Sequence, residues 1–201
     1  VNPKKRFEIA IPERVEPTFK LALDKEISAS NISFMIRHTA EKSTNDYAEL
    51  EKSTQRSLAF SIFNNRLAEM AQKQECPFKS ASIGYQNYTR LNDMWILNVS
   101  PKPEKQAEAF AMVMNEWVRA YKFGFSKGEI ERAITETISG YENYLEKLNE
   151  IPHKQVIGMV KDDYLNHEVI ADPKAEFEML INILKNVDTK ILQEQISKLY
   201  T

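Results

Sequence analysis

The sequence is poor in the residues from which many functional sites are built. Its 201 residues include one cysteine (Cys76), three histidines and five glycines. A single cysteine excludes a disulfide within the chain. No apolar run approaches the roughly 20 residues that a membrane-spanning helix needs. Basic and acidic residues number 27 and 29, so the positive surplus typical of nucleic-acid-binding proteins is missing. We therefore expect neither a membrane-spanning segment nor a nucleic-acid partner.

The histidines are also too scattered for a familiar zinc site. A helical zinc site carries two histidines on one face with a glutamate nearby. None of His38, His153 and His167 has a second histidine within one helical turn. Glu150 and His153 have the Glu-x-x-His spacing of some helical metal sites, but Pro152 lies between them and would interrupt the helix. We predict ordinary surface histidines.

Motifs for nucleophilic catalysis and phosphate binding are missing as well. Cys76 directly follows Glu75, whose negative charge disfavours the thiolate that a catalytic cysteine needs. Gly124 and Gly128 do not have the spacing of either nucleotide-binding glycine motif. We therefore predict that this chain contains no catalytic residue, no metal ligand and no cofactor.

The composition is nevertheless that of a globular domain with a substantial core, with 42% hydrophobic and 28% charged residues. The first 18 residues are charged and rich in proline, which indicates a linker or an edge strand. Alternating apolar residues predict two short strands, one at Phe19, Leu21 and Leu23 and the other at Ile32, Phe34 and Ile36. A long helix before Pro77 is predicted from apolar residues at helical spacing: Leu58, Ile62, Phe63, Leu67 and Met70.

Two further strands are predicted at Ser80–Tyr88 and Met94–Val99, with a turn at Asn92–Asp93. A helix follows Pro103, and Gly124 is suited to end it. The apolar stripe of this helix consists of Phe110, Val113, Trp117 and Tyr121, so we predict Trp117 to be a core anchor.

The last third of the sequence is predicted to be helical. Ser126 and Glu129 have the spacing of a capping box, in which each side chain satisfies a backbone donor of the other residue. Pro152, Asp172-Pro173 and Asp188 mark the starts of further helices. The paired order of strands and helices predicts an α+β domain, with a mixed, largely antiparallel sheet packed against helices and a helical C-terminal part.

Two segments resemble motifs of the pitrilysin/insulinase family of zinc metallopeptidases. The first runs from Asn64 to Met70 and continues through Cys76–Ala81. The second, Gly124–Ala133, resembles the family's helix start Gly-Phe-[Thr/Ser]-x-x-Glu-[Leu/Ile]-x-x-Ala. The connector before Leu23–Glu26 also resembles the way in which such a domain leaves the preceding one. The resemblance covers nearly the whole chain in the order of its elements. It favours the second, non-catalytic domain of the N-terminal half of a bacterial member related to mitochondrial processing peptidase.

The resemblance implies a division of labour between domains. Residues 1–18 would link to a preceding catalytic domain, and residues 19–201 would form a single α+β domain. The family's zinc motif, His-x-x-Glu-His with a distal Glu, lies in that first domain and has no counterpart here. Zinc and the catalytic Glu would therefore belong to another part of the parent protein. The chain begins at Val1 without an initiator Met or a signal-peptide pattern, so we expect a piece of a longer polypeptide.

The implied partners are the catalytic and C-terminal domains of the same chain and a peptide or unfolded protein substrate. The compartment that the resemblance favours is the bacterial periplasm or cell envelope. Two alternatives remain open. One is a catalytically silent family member whose domain binds peptides or serves assembly, which the loss of the upstream zinc motif would indicate. The other is an unrelated α+β binding module.

Ala71 and Phe78 mark the place where this sequence departs from the family. The family's last domain can carry an Arg and a Tyr seven positions apart that contact substrate across from the zinc. Ala71 and Phe78 align with those two positions, and neither can supply the charge or hydrogen bond. We predict Ala71 near the end of the long helix and Phe78 at the entry to the next strand. The Phe78 ring would be packed or would face the substrate chamber, which makes it the one candidate for substrate binding.

Overall fold

The computed structural model describes residues 7, 9–166 and 168–197, and its centre is a three-stranded antiparallel sheet. The strands are β1 (Ile32–Thr39), β2 (Phe78–Thr89) and β3 (Asn92–Pro101), and β3 lies between the other two. The helices are α1 (Tyr47–Ala71), α2 (Gln106–Phe123), α3 (Lys127–Glu146), a short 3₁₀ helix (Leu148–Glu150), α4 (His153–Asn166), α5 (Pro173–Lys185) and α6 (Thr189–Ser197). The predicted α+β class is confirmed, and the sheet is antiparallel throughout the described residues. No helix in that part of the chain is both long enough and apolar enough to cross a membrane.

Helix α1 is the longest helix of the described residues. Hydrogen bonds to nearby side chains fix its first turn. The Asp46 side chain accepts a hydrogen bond from the Glu49 backbone N–H at 2.9 Å and so caps the first turn. The Glu49 carboxylate in turn accepts from the backbone N–H groups of Thr44 and Asn45. The predicted apolar stripe is buried at Leu58, Ile62, Phe63 and Leu67, which confirms the long helix. This face packs against β2 and against α3, α5 and α6.

A cluster of aromatic rings fills the space between the sheet and the helices. The rings of Trp95 (β3) and Trp117 (α2) lie 4.8 Å apart between centroids. Phe63 meets Trp117 edge-on at 5.3 Å, and Phe34 meets Trp95 edge-on at 5.6 Å. Edge-to-face contacts of this kind are favourable beyond the area that they bury. Trp117 is 1% exposed, so its predicted role as a core anchor is confirmed.

The end of α2 and the start of α3 also follow the sequence signals. Gly124 caps α2 with a φ of +67°, a conformation that glycine adopts without steric cost. A Cβ at this position would lie 2.7 Å from Cγ2 of Thr189, so the close approach of α6 requires glycine as well. The Ser126–Glu129 capping box is confirmed, with both of its hydrogen bonds present.

The later helices begin where predicted. Asp172 caps α5 through backbone N–H groups of its first turn, and Pro173 is the first helical residue. Asp188 accepts from the N–H of Ile191 at 2.9 Å and starts α6. Helix α4 begins directly after Pro152. The tail of the domain is therefore helical, as expected.

The predicted strand at Phe19, Leu21 and Leu23 is wrong for this structure. These residues have no regular secondary structure, and their side chains are 88%, 68% and 85% exposed. An alternating apolar pattern becomes a strand only when a sheet edge satisfies its backbone groups. No edge within the described residues pairs with this segment.

The turn of the β2–β3 hairpin also differs from the prediction. Arg90 and Leu91 form it, whereas Asn92 and Asp93 are the first residues of β3. The reason is the Asp93 side chain, which is 4% exposed and hydrogen-bonded inside the sheet end instead of facing solvent in a turn.

Candidate functional site

The side chains that could bind a metal or act as nucleophiles lie apart. His38 is in β1, His153 begins α4, and Cys76 is buried in the loop before β2. His167 lies outside the described residues. Glu150 ends the 3₁₀ helix and is separated from α4, so the Glu-x-x-His spacing produces no common helical face. Over the described ranges, no group of three or more His, Cys, Asp or Glu side chains could hold a metal ion.

Ala71 and Phe78 occupy the predicted places in the fold. Ala71 is the last residue of α1, and Phe78 is the first residue of β2. The Phe78 side chain is 0% exposed and belongs to the hydrophobic core. Of the two predicted environments of the Phe78 ring, the structure shows the packed one and not the chamber-facing one, so the ring offers no surface to a peptide.

Arg66 joins the two motif segments in space. Its guanidinium donates from Nη2 to Oε2 of Glu129 at 2.8 Å and from Nη1 to Oε1 of Glu116 at 3.0 Å. Nη2 also donates to the carbonyl of Gly124 at 3.2 Å. The guanidinium carbon lies 4.9 Å from the centre of the Phe125 ring. One cation thus binds the end of α2, the start of α3 and the C-terminal third of α1 to one another.

The carboxylates of this cluster are saturated. Hydrogen bonds from Arg66, and then from Ser126, hold the pKa of Glu129 down to about 2, although burial alone would raise it. Both oxygens of Glu116 accept from Arg119, and one of them also accepts from Arg66. Every carboxylate oxygen of the two glutamates therefore accepts at least one hydrogen bond. The cluster is suited to holding helices together.

A second polar cluster closes the end of the sheet around Asp93. The Asp93 carboxylate accepts from the Glu41 backbone N–H at 3.1 Å, the Tyr85 hydroxyl at 3.2 Å and the Asn87 amide at 2.9 Å. Burial, together with the negative charge of Asp93, raises the pKa of Tyr85 to about 12, so Tyr85 stays a hydrogen-bond donor at neutral pH. Sequence reasoning missed this cluster, although the alternation of β3 extended back to Asp93 would have placed the carboxylate on the helix side.

The helices of the described residues cover one face of the sheet, and the opposite face is partly exposed, although Met94 on it is only 7% exposed. Alternation along each strand separates core residues such as Phe34, Ile83 and Leu97 from residues on the other side. We call the latter the open sheet face: Ser33, Met35, Arg37, Ser80, Ser82, Gly84, Gln86, Met94, Ile96 and Asn98. Its residues are mostly small or polar, and the Ser33 hydroxyl donates to Oδ1 of Asn98 at 2.7 Å.

The two edges of the sheet differ. On the β2 side, Nδ2 of Asn64 donates to the carbonyl of Ile83 at 3.1 Å, and the Ile83 N–H donates to Oδ1 of Asn64 at 2.8 Å. A helix side chain therefore occupies both backbone groups of a mid-strand residue. On the β1 side, no backbone group of the described residues pairs with the outer edge.

Comparison with known proteins yields structural relatives only. No family model matches the sequence, and no curated protein is significantly similar to it. The first half of the periplasmic protease PqqL from Escherichia coli superposes with a TM-score of 0.80 at 17% identity, over 88% of this chain and 38% of that chain. A predicted insulinase family protease from Yersinia pestis gives 0.73 at 11% identity, over 86% and 37%.

A third relative is the inactive peptidase domain of a protein described as a zinc protease, from Bordetella parapertussis. Its TM-score is 0.57 at 12% identity, and the match covers 86% of both chains. The chain spans less than two fifths of the length of the two preceding structures. At these identities the likeness concerns the fold. This chain therefore has the fold of domains found in insulinase-family proteases, the family whose motifs its sequence resembles, including a domain described as inactive.

Proposed function

We propose that this chain is the supporting, substrate-chamber-forming second domain of a zinc-dependent metalloendopeptidase of the pitrilysin/insulinase family. Zinc and the catalytic Glu belong to another domain of the parent protein, and the substrate is a peptide or an unfolded protein. The observation that carries the proposal is the one-sided sheet, which has a rigid helical layer behind it and an open, mostly polar face in front.

The open sheet face suits contact with peptides of varied sequence. Its small side chains, among them Ser82 and Gly84, leave room for an extended chain to lie across the surface. Gln86 and Asn98 offer amide donors and acceptors that serve any peptide backbone. Hydrogen bonds from these side chains to the backbone of a peptide do not depend on its side chains, which makes such contacts tolerant of sequence.

The helices behind the sheet hold the open sheet face in a fixed position. Arg66 ties three helical segments together, and the Trp95–Trp117 contact joins the sheet to α2. The saturated carboxylates of Glu116 and Glu129 support a structural role for the motif segments. The match over 86% of both chains with a domain described as inactive supports the same reading.

Photo-cross-linking in the complete polypeptide tests which face meets substrate. A benzophenone amino acid replaces Ser82 on the open sheet face, and a matched probe replaces Glu131, an exposed residue of α3. We expect cross-links to unfolded casein at position 82 and few at position 131. Equal cross-linking at the two positions would contradict the proposed orientation of the sheet.

Values of KM and kcat distinguish a supporting domain from one that takes part in catalysis. Ser82→Trp fills part of the open sheet face, so we expect KM for a casein-derived peptide to rise several-fold with kcat changed by no more than a few-fold. A loss of kcat of about a hundredfold in a folded variant would show that this domain contributes to the transition state. A polypeptide that binds casein without zinc and without cleavage would instead support the silent, peptide-binding alternative.

A further inference from the structure

The segment Phe19–Leu23 has the pattern of a strand but no strand partner. Its three apolar side chains alternate with Lys20 and Ala22 and are between 68% and 88% exposed. Directly after it, the Asp24 side chain accepts from the Glu26 backbone N–H at 2.8 Å and fixes a turn. Exposed apolar side chains along one side of a segment mark a surface that another element covers.

The outer edge of β1 has backbone groups without a strand partner among the described residues. The hydrogen-bond pattern of the sheet shows which residues these are. The N–H and C=O of one strand residue point to the same side of the strand. Because both groups of Ile83 bind Asn64, they point away from β3, so the pair Ile83–Leu97 exchanges no hydrogen bonds. Leu97 must then direct its own groups towards its partner Phe34 in β1.

This alternation leaves the backbone groups of Ser33, Met35 and Arg37 facing outward. No backbone hydrogen bond from the described residues reaches them. The β2 edge, by contrast, is closed at Ile83 by Asn64. The Arg37 side chain, which lies on the open sheet face, contacts the N-terminal segment: its Nη2 donates to the carbonyl of Pro12 at 2.6 Å.

We propose that this chain exchanges strands with a neighbouring domain in the same polypeptide. Residues 19–23 add to the sheet of that domain, and the outer edge of β1 accepts a strand from it. The inference rests on the proposed function, which makes the chain one domain of a longer protein. A substrate peptide would cover the β1 edge but would leave Phe19, Leu21 and Leu23 exposed. A neighbouring domain that accepts one strand and supplies another explains both observations at once.

The relatives support this occupant. This chain aligns over 88% of its length with the first half of PqqL but accounts for only 38% of that structure. In that relative, the same fold therefore sits in a chain with room for a second unit of similar size. Strand addition to an open edge supplies main-chain hydrogen bonds, and the apolar face of the donated strand supplies burial.

Amide hydrogen exchange, measured without substrate, tests the exchange of strands. In the isolated chain, we expect the amides of residues 19–23 and those of Ser33, Met35 and Arg37 to exchange at nearly unprotected rates. In the complete polypeptide, both sets should be protected by about 100-fold or more, because the backbone groups are then paired and covered. If either set stays unprotected in the complete polypeptide, the proposal is wrong.

Two variants probe the donor and the acceptor separately. Met35→Pro removes an outward N–H and spares the ladder to β3, a place where an edge strand tolerates proline. It should abolish protection at Ser33 and Arg37 in the complete polypeptide, whereas Met35→Val, which keeps the N–H, should preserve it. Leu21→Lys should abolish protection of residues 19–23, with Leu21→Val as its control. The Leu21 test holds even if Met35→Pro fails to fold, because Leu21 lies outside the core.

Other occupants give distinct results that would overturn the proposal. Protection that appears only after casein is added identifies a substrate peptide on β1. Protection that rises with the concentration of the isolated chain identifies a second copy. Zinc content and casein cleavage are recorded separately. An active zinc peptidase with unprotected edges rejects strand exchange alone, whereas protected edges in a protein without zinc reject the proposed function alone.

Discussion

Replacing Glu129 by glutamine tests whether the cluster around Arg66 stabilises the domain. Glu129 accepts two hydrogen bonds from Arg66 and also completes the capping box with Ser126. The side chains of Arg66 and Glu129 are only 11% and 18% exposed. Glutamine removes the charge and turns an N–H₂ group towards the guanidinium, so one buried cation loses a partner.

The shifted pKa of Glu129 gives the size of the effect. Hydrogen bonds from Arg66 and Ser126 lower that pKa from its ordinary 4.5 to about 2. Each pKa unit corresponds to about 1.4 kcal/mol. The shift therefore gives an upper limit of roughly 3.4 kcal/mol for the contribution of ionised Glu129 to the free energy of unfolding. Screening by solvent at this partly open site reduces the expected value to about 2 kcal/mol.

The same shift fixes the pH dependence. Because the pKa of Glu129 is lower in the folded state than in the unfolded state, the stabilisation is complete above pH 4.5 and is lost as the pH falls towards 2. Urea unfolding of the native chain and of Glu129→Gln should differ by about 2 kcal/mol near pH 6 and converge as the pH approaches 2. Taking the difference between the two proteins cancels the titration of other carboxylates.

Glu131→Gln is the matched control, two positions further along α3. The Glu131 side chain is 64% exposed and its partner Lys127 is 90% exposed, so the change should cost less than about 0.5 kcal/mol. The reasoning is refuted if Glu129→Gln costs no more than this control, or if the difference between native chain and variant does not change between pH 6 and pH 2.

Further predictions concern the core, the α3 cap, the first residue of β2 and zinc. Trp117→Ala should lower the free energy of unfolding in urea by about 3–5 kcal/mol, because it empties the centre of the aromatic cluster; an unchanged midpoint would contradict the core assignment. Ser126→Ala should cost about 0.5–2 kcal/mol through the loss of the cap, measured in the same way. Phe78→Ala should cost about 3–5 kcal/mol, since the ring is fully buried, and Phe78→Leu clearly less. In calorimetric titration, the isolated chain should show no stoichiometric zinc site of micromolar affinity; such a site, if removed by His153→Ala, would contradict the assignment of zinc to another domain.

The helix boundaries could be predicted because their signals are local. The caps at Ser126, Asp172 and Asp188 each act on backbone groups two or three residues away. Such hydrogen bonds depend on the nearby sequence alone. The strand pattern at Phe19 failed for the opposite reason. Alternation states which side chains would share a face, but it cannot show whether a sheet edge is present to receive the backbone.

For the candidate site, the sequence predicted which elements carry Ala71 and Phe78 but not which residues their side chains contact. The alignment placed Ala71 and Phe78 correctly at the ends of α1 and β2, because the order of elements follows the sequence. It could not show that the Phe78 ring points into the core, since strand direction and helix packing decide that. The pairing of Asn64 with Ile83 was equally hidden, because a side chain that binds a strand backbone 19 residues away leaves no periodic signal.

The Arg66 cluster explains why a segment without a catalyst resembles part of an enzyme. Asn64–Met70 and Gly124–Ala133 are the two motifs that carry the resemblance, and Arg66 and Glu129 meet across 63 residues of sequence. Gly124 is required by its positive φ and by its contact with Thr189, and Glu129 both caps α3 and pairs with Arg66. These residue types are therefore needed by the packing of α1, α2 and α3 alone. This packing accounts for both motifs without any catalytic group.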